Sequence, residues 1–326
     1  MGVTRSQVLR EPAELGVRRV ALGLLAKVRE ARDRLDDPND RDALHDFRVA
    51  LRRLRSWLRA CRPNLRDTLR SKTERRLEQI ADVTGTSRDL EVHIAWAKQA
   101  RRGMSERGRP GAAWLIRRLR DMKRDSDAEL REVIDRHFAK AIRQTENALE
   151  QYVARVADDG PRFGETAADL VARESAEFQA AMHQVTAQGD RAEAHAARIA
   201  TKRLRYALEG IASIGLDVDS ITDELKDLQD ALGELHDAQQ FGSELATMMS
   251  SLLASRDDGQ RDDGAARSPR SPRSAKRDPI AGIRTMLRQL RRTETKAFRA
   301  FEKTWKAEDW SKAFGARLAA IEQELR

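Results

Sequence analysis

The sequence is poor in the residues that stabilise folds through covalent links or ring packing. Its 326 positions include one cysteine, Cys61, eight prolines and only 5% aromatic residues. A single cysteine excludes an internal disulfide and a cysteine-ligated metal cluster, and it suits a reducing compartment. No apolar run is long enough to span a bilayer, and the first residues lack the apolar stretch of a signal peptide. We therefore expect a cytoplasmic protein that makes no contact with a membrane.

Alanine, leucine and charged residues are abundant instead. The chain carries 62 basic residues, 50 of them arginine, against 53 acidic residues, which gives a formal net charge of +9. These residue types favour helices, and no segment shows a convincing strand pattern. The composition therefore predicts an all-α fold, and the positive charge predicts acidic partners. Taken singly, most arginines are better explained as solvated helix residues paired with acids four positions away.

One basic motif occurs twice. The first copy, HDFRVALRRLR, runs from His45 to Arg55, and the second, HAARIATKRLR, runs from His195 to Arg205. On an α-helix, Arg48, Arg52 and Arg55 fall within roughly 80° of His45, as does Arg59 beyond the motif. Leucines and Phe47 occupy the neighbouring arc, which a core can bury. Such a stripe repels itself unless an anion lies along it, so each copy predicts one wall of a site for an extended polyanion.

A second motif is also duplicated, at nearly the same distance beyond each basic stripe. LEQIADVTGTSRD ends at Asp89, and LKDLQDALGELHD ends at Asp237. Two matched motifs indicate an internal duplication. We therefore expect two pseudo-symmetric four-helix repeats in one bundle, with the stripe helices facing each other across a basic central groove. Residues near the stripes would support them: Arg88, Asp89, Tyr206, His236 and Asp237.

Breaks in the apolar periodicity define the expected organisation of one domain over residues 1–326. In the first half, Gly85 is expected to end one helix and Ser87 to cap the next. Residues 256–279 form an insertion that is predicted to be disordered, because it lacks periodic apolar positions and is dense in proline, serine and charge. The predicted segments are repeat one at about 11–101, connecting helices at 110–157, repeat two at about 165–255, a disordered insertion at 256–279 and a C-terminal helical hairpin at 280–326.

Together the two motifs resemble the CHAD domain family, the conserved histidine α-helical domains. The resemblance covers roughly residues 11–320 and rests on the helix signature that begins at His45 and again at His195. It implies an all-α fold around a basic cavity that binds inorganic polyphosphate, and some members are associated with polyphosphate granules. Many relatives also carry a CYTH domain, but this sequence shows no such β-rich segment. By matching position, the resemblance implies ligand contacts, direct or supporting, for His45, Arg48, Arg52, Arg53, Arg55, His195, Arg198, Lys202, Arg203 and Arg205.

Several alternatives stay open. Polyphosphate has no bases to stack, so a cationic site without exposed aromatics suits it, whereas single-stranded nucleic-acid sites interleave aromatics with charge. Nonspecific nucleic-acid binding nevertheless remains the second hypothesis, because the net charge and the Ser-Pro-Arg insertion support it. His45 and His195 either join the groove or bond to a neighbouring helix. The histidines lack metal-site spacing and no activated nucleophile is evident, so we expect no cofactor, no metal and no catalysis, and we rank a polyphosphate-cleaving enzyme last.

Overall fold

The computed structural model describes residues 4–37, 39–65, 70–151, 160–262, 279–306 and 309–326, with the side chains of 255–262 left undescribed. Within these ranges the chain is helical, and its one β-bridge pairs Pro12 with Arg162. None of the described helices combines the length and the apolar character needed to cross a membrane. The helices are α1 Arg5–Arg10, α2 Ala13–Asp33, α3 Ala43–Ala60, α4 Ser71–Arg102, α5 Arg109–Glu150, α6 Phe163–His183, α7 Arg191–Ala212, α8 Asp219–Asp262, α9 Ile280–Trp305 and α10 Trp310–Leu325.

The two halves of the chain pack their helices in similar pairs. In the first half α2 packs against α3 and α4 packs along α5, while in the second α6 packs against α7 and α8 packs along α9. Contacts of α2 with α6 and of α3 with α7 join the halves, and α10 returns to pack against α6. The predicted all-α bundle is therefore confirmed. The twofold relation between the halves stays a prediction.

Two apolar cores hold these helices together. The larger lies among α2, α3, α6 and α7 and includes Phe47, Trp57 and Phe178. The smaller fills the far end of the α4, α5, α8 and α9 group, around Leu115, Phe241 and Met286. The long helices α4, α5, α8 and α9 thus form an elongated group, which we call the arm. Its inner end borders the main core. Residues between the two cores are free to line a cavity.

The predicted helix break at Gly85 was wrong. Helix α4 continues through Gly85 to Arg102. A glycine inside a helix costs only about 1 kcal/mol relative to alanine, and the burial of Ile80 and Leu90 on either side offsets that cost. Ser87 caps no helix, since its hydroxyl donates to Asp127 at 2.7 Å. The fourth helix beside α2, α3 and α4 is therefore α5.

Other boundaries differ by smaller amounts. The two C-terminal helices lie within the range predicted for the hairpin, 280–326. Helix α8 extends to Asp262, beyond the predicted end of the second repeat at residue 255. The remainder of the predicted disordered insertion, residues 263–278, lies outside the described residues. The predicted connecting segment is a single helix, α5, that ends at Glu150, and residues 152–159 also lie outside the described residues.

Candidate functional site

A cavity of about 690 Å³ lies where α3, α4, α7 and α8 meet. We call it the central cavity. Seven of the predicted ligand-contacting residues line it: His45, Arg48, Arg52, Arg53, Arg198, Lys202 and Arg205. All five residues predicted to support them line it too: Arg88, Asp89, Tyr206, His236 and Asp237. Both copies of the basic motif therefore contribute to one cavity.

The stripe helices present these cations because their other faces are buried. On α3, the side chains of Phe47, Leu51 and Leu54 are fully buried, as helical spacing predicts. On α7, Ala197 and Leu204 are equally buried. Each helix is thereby fixed in rotation about its own axis. The basic residues at the margin of the buried face are held against the cavity.

A close crossing of α3 and α7 sets one end of the central cavity. The helices meet where Gly210 lies against the ring of Trp57, so closely that an added Cβ would sit 2.5 Å from a ring carbon. The indole Nε1 of Trp57 donates a hydrogen bond to the Val17 carbonyl at 3.0 Å, which fixes the ring from α2. Only a residue without a side chain fits at position 210. The two basic stripes therefore converge at this point.

Acidic residues compensate some of the arginines. Arg48 pairs with Asp89 of α4 at 2.9 Å. Glu209 of α7 accepts two partners, Arg53 at 2.6 Å and Arg205 at 3.3 Å. These carboxylates hold the three guanidinium groups in place and reduce the net charge of the cluster. The polyanion site inferred from the stripes is therefore partly neutralised from within.

Of the cavity cations on the stripe helices α3 and α7, three have no ion pair with a described residue. Arg52, Arg198 and Lys202 form no ion pair with any described carboxylate, and Arg52 donates to the Tyr206 hydroxyl at 3.3 Å. Burial, followed by the nearby charges of Arg198 and Arg52, lowers the pKa of Lys202 to about 7. Burial likewise lowers the pKa of Arg198. The mutual repulsion expected of the stripes is thus concentrated at these three side chains.

The charge of the whole cavity lining is a modest positive excess. Eight arginine or lysine side chains and six carboxylates line it. The carboxylates come mainly from α8, and the cations come mainly from α3 and α7. An anion would therefore meet its strongest attraction on the α3 and α7 side.

The histidines of the site belong to two different settings. His45 is exposed at the cavity. His195 is partly exposed and does not line the cavity, and its Nδ1 lies 3.4 Å from Nδ1 of His236. Burial and the adjacent Arg198 lower the pKa of His236 to about 4, so its imidazole is neutral near pH 7. Across the described residues, no group of three His, Cys, Asp or Glu side chains is arranged to hold a metal ion.

Four predicted binding residues lie outside the central cavity. Arg55 pairs with Glu78 at 3.3 Å, and His195 contacts His236. Arg59 and Arg203 line a separate cavity among α3, α6 and α7, where Arg203 pairs with Glu177 of α6 at 3.2 Å. Helical spacing gives the angle of a side chain about its helix but not the point at which the neighbouring helix crosses. The positions of the neighbouring helices therefore decide which stripe residues share the central cavity.

Some lining residues were missed from the sequence. Glu209 follows Arg205 by four positions on α7, a spacing that signals an ion pair on a helix. His93, whose ring stacks on Phe241 with 3.8 Å between centroids, lies one helical turn beyond Asp89. On α8, the row that includes His236 and Asp237 extends at helical spacing in both directions, forwards to Gln240. Its further members are Thr222, Asp223, Lys226, Gln229, Asp230, Gly233 and Glu234.

The chain matches the family model described as CHAD domain over residues 19–246. Its structure is similar to that of PptA from Streptomyces chartreusis, with a TM-score of 0.68 and 14% identity, covering 91% of this chain and 100% of that chain. It is also similar to the crystal structure of the CHAD domain from the plant Ricinus communis, with a TM-score of 0.62 and 15% identity, covering 98% of this chain and 94% of that chain. A search of the curated proteins gave no match.

Proposed function

The chain belongs to the CHAD domain family, which is associated with polyphosphate binding, and from this premise we propose that it binds inorganic polyphosphate in the central cavity. The cavity offers cations from two helices to one extended ligand. Charge-assisted hydrogen bonds from arginine to phosphate oxygens are the strongest contacts available to it. Binding to polyphosphate granules in the cell would follow from the same contacts.

One observation carries this proposal: three cations from the two stripe helices lie together in the central cavity, and none of them has an ion pair with a described residue. Arg52 comes from α3, whereas Arg198 and Lys202 come from α7. Their proximity contributes to the low pKa of Lys202, because each positive charge opposes the next. A ligand with a negative charge at every repeat unit removes that repulsion along its whole length. A monovalent anion would compensate only one of the three.

The lining also favours a ligand without bases. Apart from histidines, Tyr206 is its one aromatic residue among those described, and this side chain is buried. Single-stranded nucleic acids gain about 1–3 kcal/mol per base from stacking on exposed aromatics. The central cavity offers them little of this energy, whereas polyphosphate needs none of it.

We further propose that the protein binds polyphosphate without cleaving it. The carboxylate of Asp89 forms an ion pair with Arg48, so it does not act as the base for a nucleophile. Thr222, a hydroxyl residue of the lining, donates to the Asp219 carbonyl at 3.0 Å instead of to a base. Neither residue has the nucleophile-to-base hydrogen bond that activates a side chain for attack. The chain length of polyphosphate should therefore be unchanged after incubation with the protein.

Titration of long-chain polyphosphate into four proteins tests the proposal. The wild type is compared with Arg48→Glu/Arg52→Glu, with Arg198→Glu/Lys202→Glu, and with Lys140→Glu/Arg143→Glu as a control. The control changes the net charge by the same amount, at exposed residues in the C-terminal part of α5. Each cavity variant should lose at least about tenfold in affinity, since two charge-assisted contacts are replaced by repulsion. The control should stay close to the wild type.

Two results would contradict the proposal. Unchanged affinity in both cavity variants would remove the central cavity from binding. Displacement of polyphosphate by duplex DNA at equal phosphate concentration would favour nucleic acid as the ligand. Circular dichroism of each variant checks that loss of binding is not loss of folding.

A further inference from the structure

A second cationic feature lies at the outer end of the arm, away from the central cavity. At the point where α4 ends and α5 begins, Lys98, Arg101, Arg102 and Arg109 line a groove of about 390 Å³ together with Ile116. We call it the tip groove. In contrast to the central cavity, its lining includes no carboxylate among the residues that the structure describes.

The cations of the tip groove are exposed and uncompensated. All four side chains are exposed, and none is ion-paired with a carboxylate in the described part of the chain. Arg102 makes a neutral contact, donating to the Gln99 side chain at 3.2 Å. The sequence explains the absence of compensation, because residues 98–120 contain eight basic residues and one acidic residue, Glu106. Elsewhere on the surface, arginines are commonly paired with acids three or four positions away, as Arg136 is with Glu132.

Helix ends of both signs lie at the tip. The first turn of α5 begins at Arg109. The first turn of α9 lies against it, since a Cβ added to Gly111 would be 2.7 Å from the Gly282 Cα. The N-termini of α5 and α9 carry a partial positive charge, whereas the C-terminus of α4 at Arg102 carries a partial negative one, so the basic side chains supply most of the positive potential.

One face of α4 connects the central cavity to the tip groove. Arg88 and Val92 line the central cavity and also a neighbouring groove that continues to Ala95 and Trp96. Arg102 follows on the same face of the helix, about 21 Å from Arg88 at a rise of 1.5 Å per residue. A chain of phosphates leaving the central cavity can follow this face without crossing the apolar core.

The acidic residues along this path are already compensated. Glu91 pairs with Arg88 at 2.8 Å and with Lys123 at 3.3 Å. Asp40 pairs with Arg34 at 2.8 Å. The path is therefore close to neutral between two positive ends.

Resting on the proposed function, we propose that the tip groove is a second binding site for the same polyphosphate molecule. A long chain occupies the central cavity, follows α4 and ends on the tip groove, whereas a short oligophosphate occupies the central cavity alone. Contact at the second site is then intramolecular, which raises the affinity for long chains without changing the central cavity. The protein would therefore select polyphosphate by length.

The test compares two probes, tripolyphosphate and long-chain polyphosphate, on the full chain. The tip variant is Arg102→Glu/Arg109→Glu, and Lys140→Glu/Arg143→Glu is again the control of equal net charge. The tip variant should bind tripolyphosphate as the control does but bind the long chain on the order of tenfold more weakly than the control. Loss of two phosphate contacts should also reduce its salt slope for the long chain by about 1.4, at about 0.7 per phosphate.

The outcomes separate this inference from the proposed function. Equal long-chain affinity in the tip variant and the control would overturn the tip site while leaving the central cavity intact. Tighter binding of duplex DNA than of long-chain polyphosphate to the tip would also overturn it. Wild-type protein that binds neither phosphate probe would contradict the proposed function itself. Thermal melts of both variants establish that each is folded.

Discussion

Among individual residues, Lys202 is the most sensitive reporter of the central cavity. Its ammonium is half-buried on α7 and lies near Arg198 and Arg52, and the pKa falls to about 7 as a result. A bound polyanion would raise that pKa, since a negative charge favours the protonated form. Ligand binding and protonation of Lys202 are therefore coupled.

Polyphosphate affinity should consequently fall as pH rises. At about pH 8 most Lys202 side chains of the free protein are neutral, so binding must take up a proton; we expect about tenfold weaker binding than at about pH 6. Calorimetry in buffers of different ionisation enthalpy measures the proton uptake directly. Lys202→Arg, which keeps its charge, should flatten this pH profile; a profile as steep as that of the wild type would assign the effect to another group.

The lowered pKa of Lys202 also determines the direction in which pH changes the stability of the free protein. The unfolded chain keeps Lys202 protonated up to its ordinary pKa of 10.5, whereas the folded chain releases the proton near pH 7. The unfolded state therefore binds more protons between these values. The contribution of this residue to stability increases with pH across that window and is lost as pH falls through it.

At the scale of helices, two glycines that both lie inside helices have different roles. Gly210 lies under the ring of Trp57 at the crossing of α3 and α7, where no side chain fits. Gly85 lies within α4, and nothing approaches within 4 Å of the position that its Cβ would occupy. The first is required by packing between helices. The second is tolerated within one.

Substitutions at these glycines should therefore act in opposite directions. Gly210→Leu should lower the free energy of unfolding by about 1–3 kcal/mol, because the side chain forces α3 and α7 apart. It should also weaken polyphosphate binding by separating the two basic stripes. Gly85→Ala should raise the free energy of unfolding by about 0.5–1 kcal/mol, through helix propensity alone.

Urea denaturation measures both effects, and Gly85→Ala serves as the matched control. A stabilising Gly210→Leu would show that the crossing is looser than the contact with Trp57 indicates. A destabilising Gly85→Ala would show that α4 bends at this residue under strain.

For the whole molecule, electrostatics should dominate binding. The chain has a net charge of +9, yet the central cavity carries only a modest positive excess. Attraction over distances longer than about 10 Å is screened at 0.1 M salt, so the groups at the site decide the affinity and the rest of the surface mainly affects the encounter rate.

We expect a strong salt dependence for polyphosphate binding. Engagement of roughly six phosphates gives a slope near −4 for the logarithm of the affinity against the logarithm of salt concentration, at about 0.7 per phosphate. A salt series with long-chain polyphosphate measures this slope. A flat response would mean that neutral hydrogen bonds, and not charge, hold the ligand.

The sequence by itself determined the helical class and the two basic stripes, because both depend on periodicity within single segments. Helical spacing placed Arg48 and Arg198 at the margins of buried faces, and the repeated Asp89 and Asp237 motifs pointed to the helices that complete the cavity. Local patterns could not show that α4 continues through Gly85, because the continuation depends on burial of the neighbouring residues by other helices.

Tertiary structure alone decided which cations share the central cavity. Arg59 and Arg203 satisfy the same sequence pattern as the lining residues, yet they line a separate cavity beside α6. Glu209 neutralises two arginines from different helices, a contact that spans the two halves of the chain. The packing of distant segments sets such contacts, and a pattern within one helix contains no information about where its neighbour crosses.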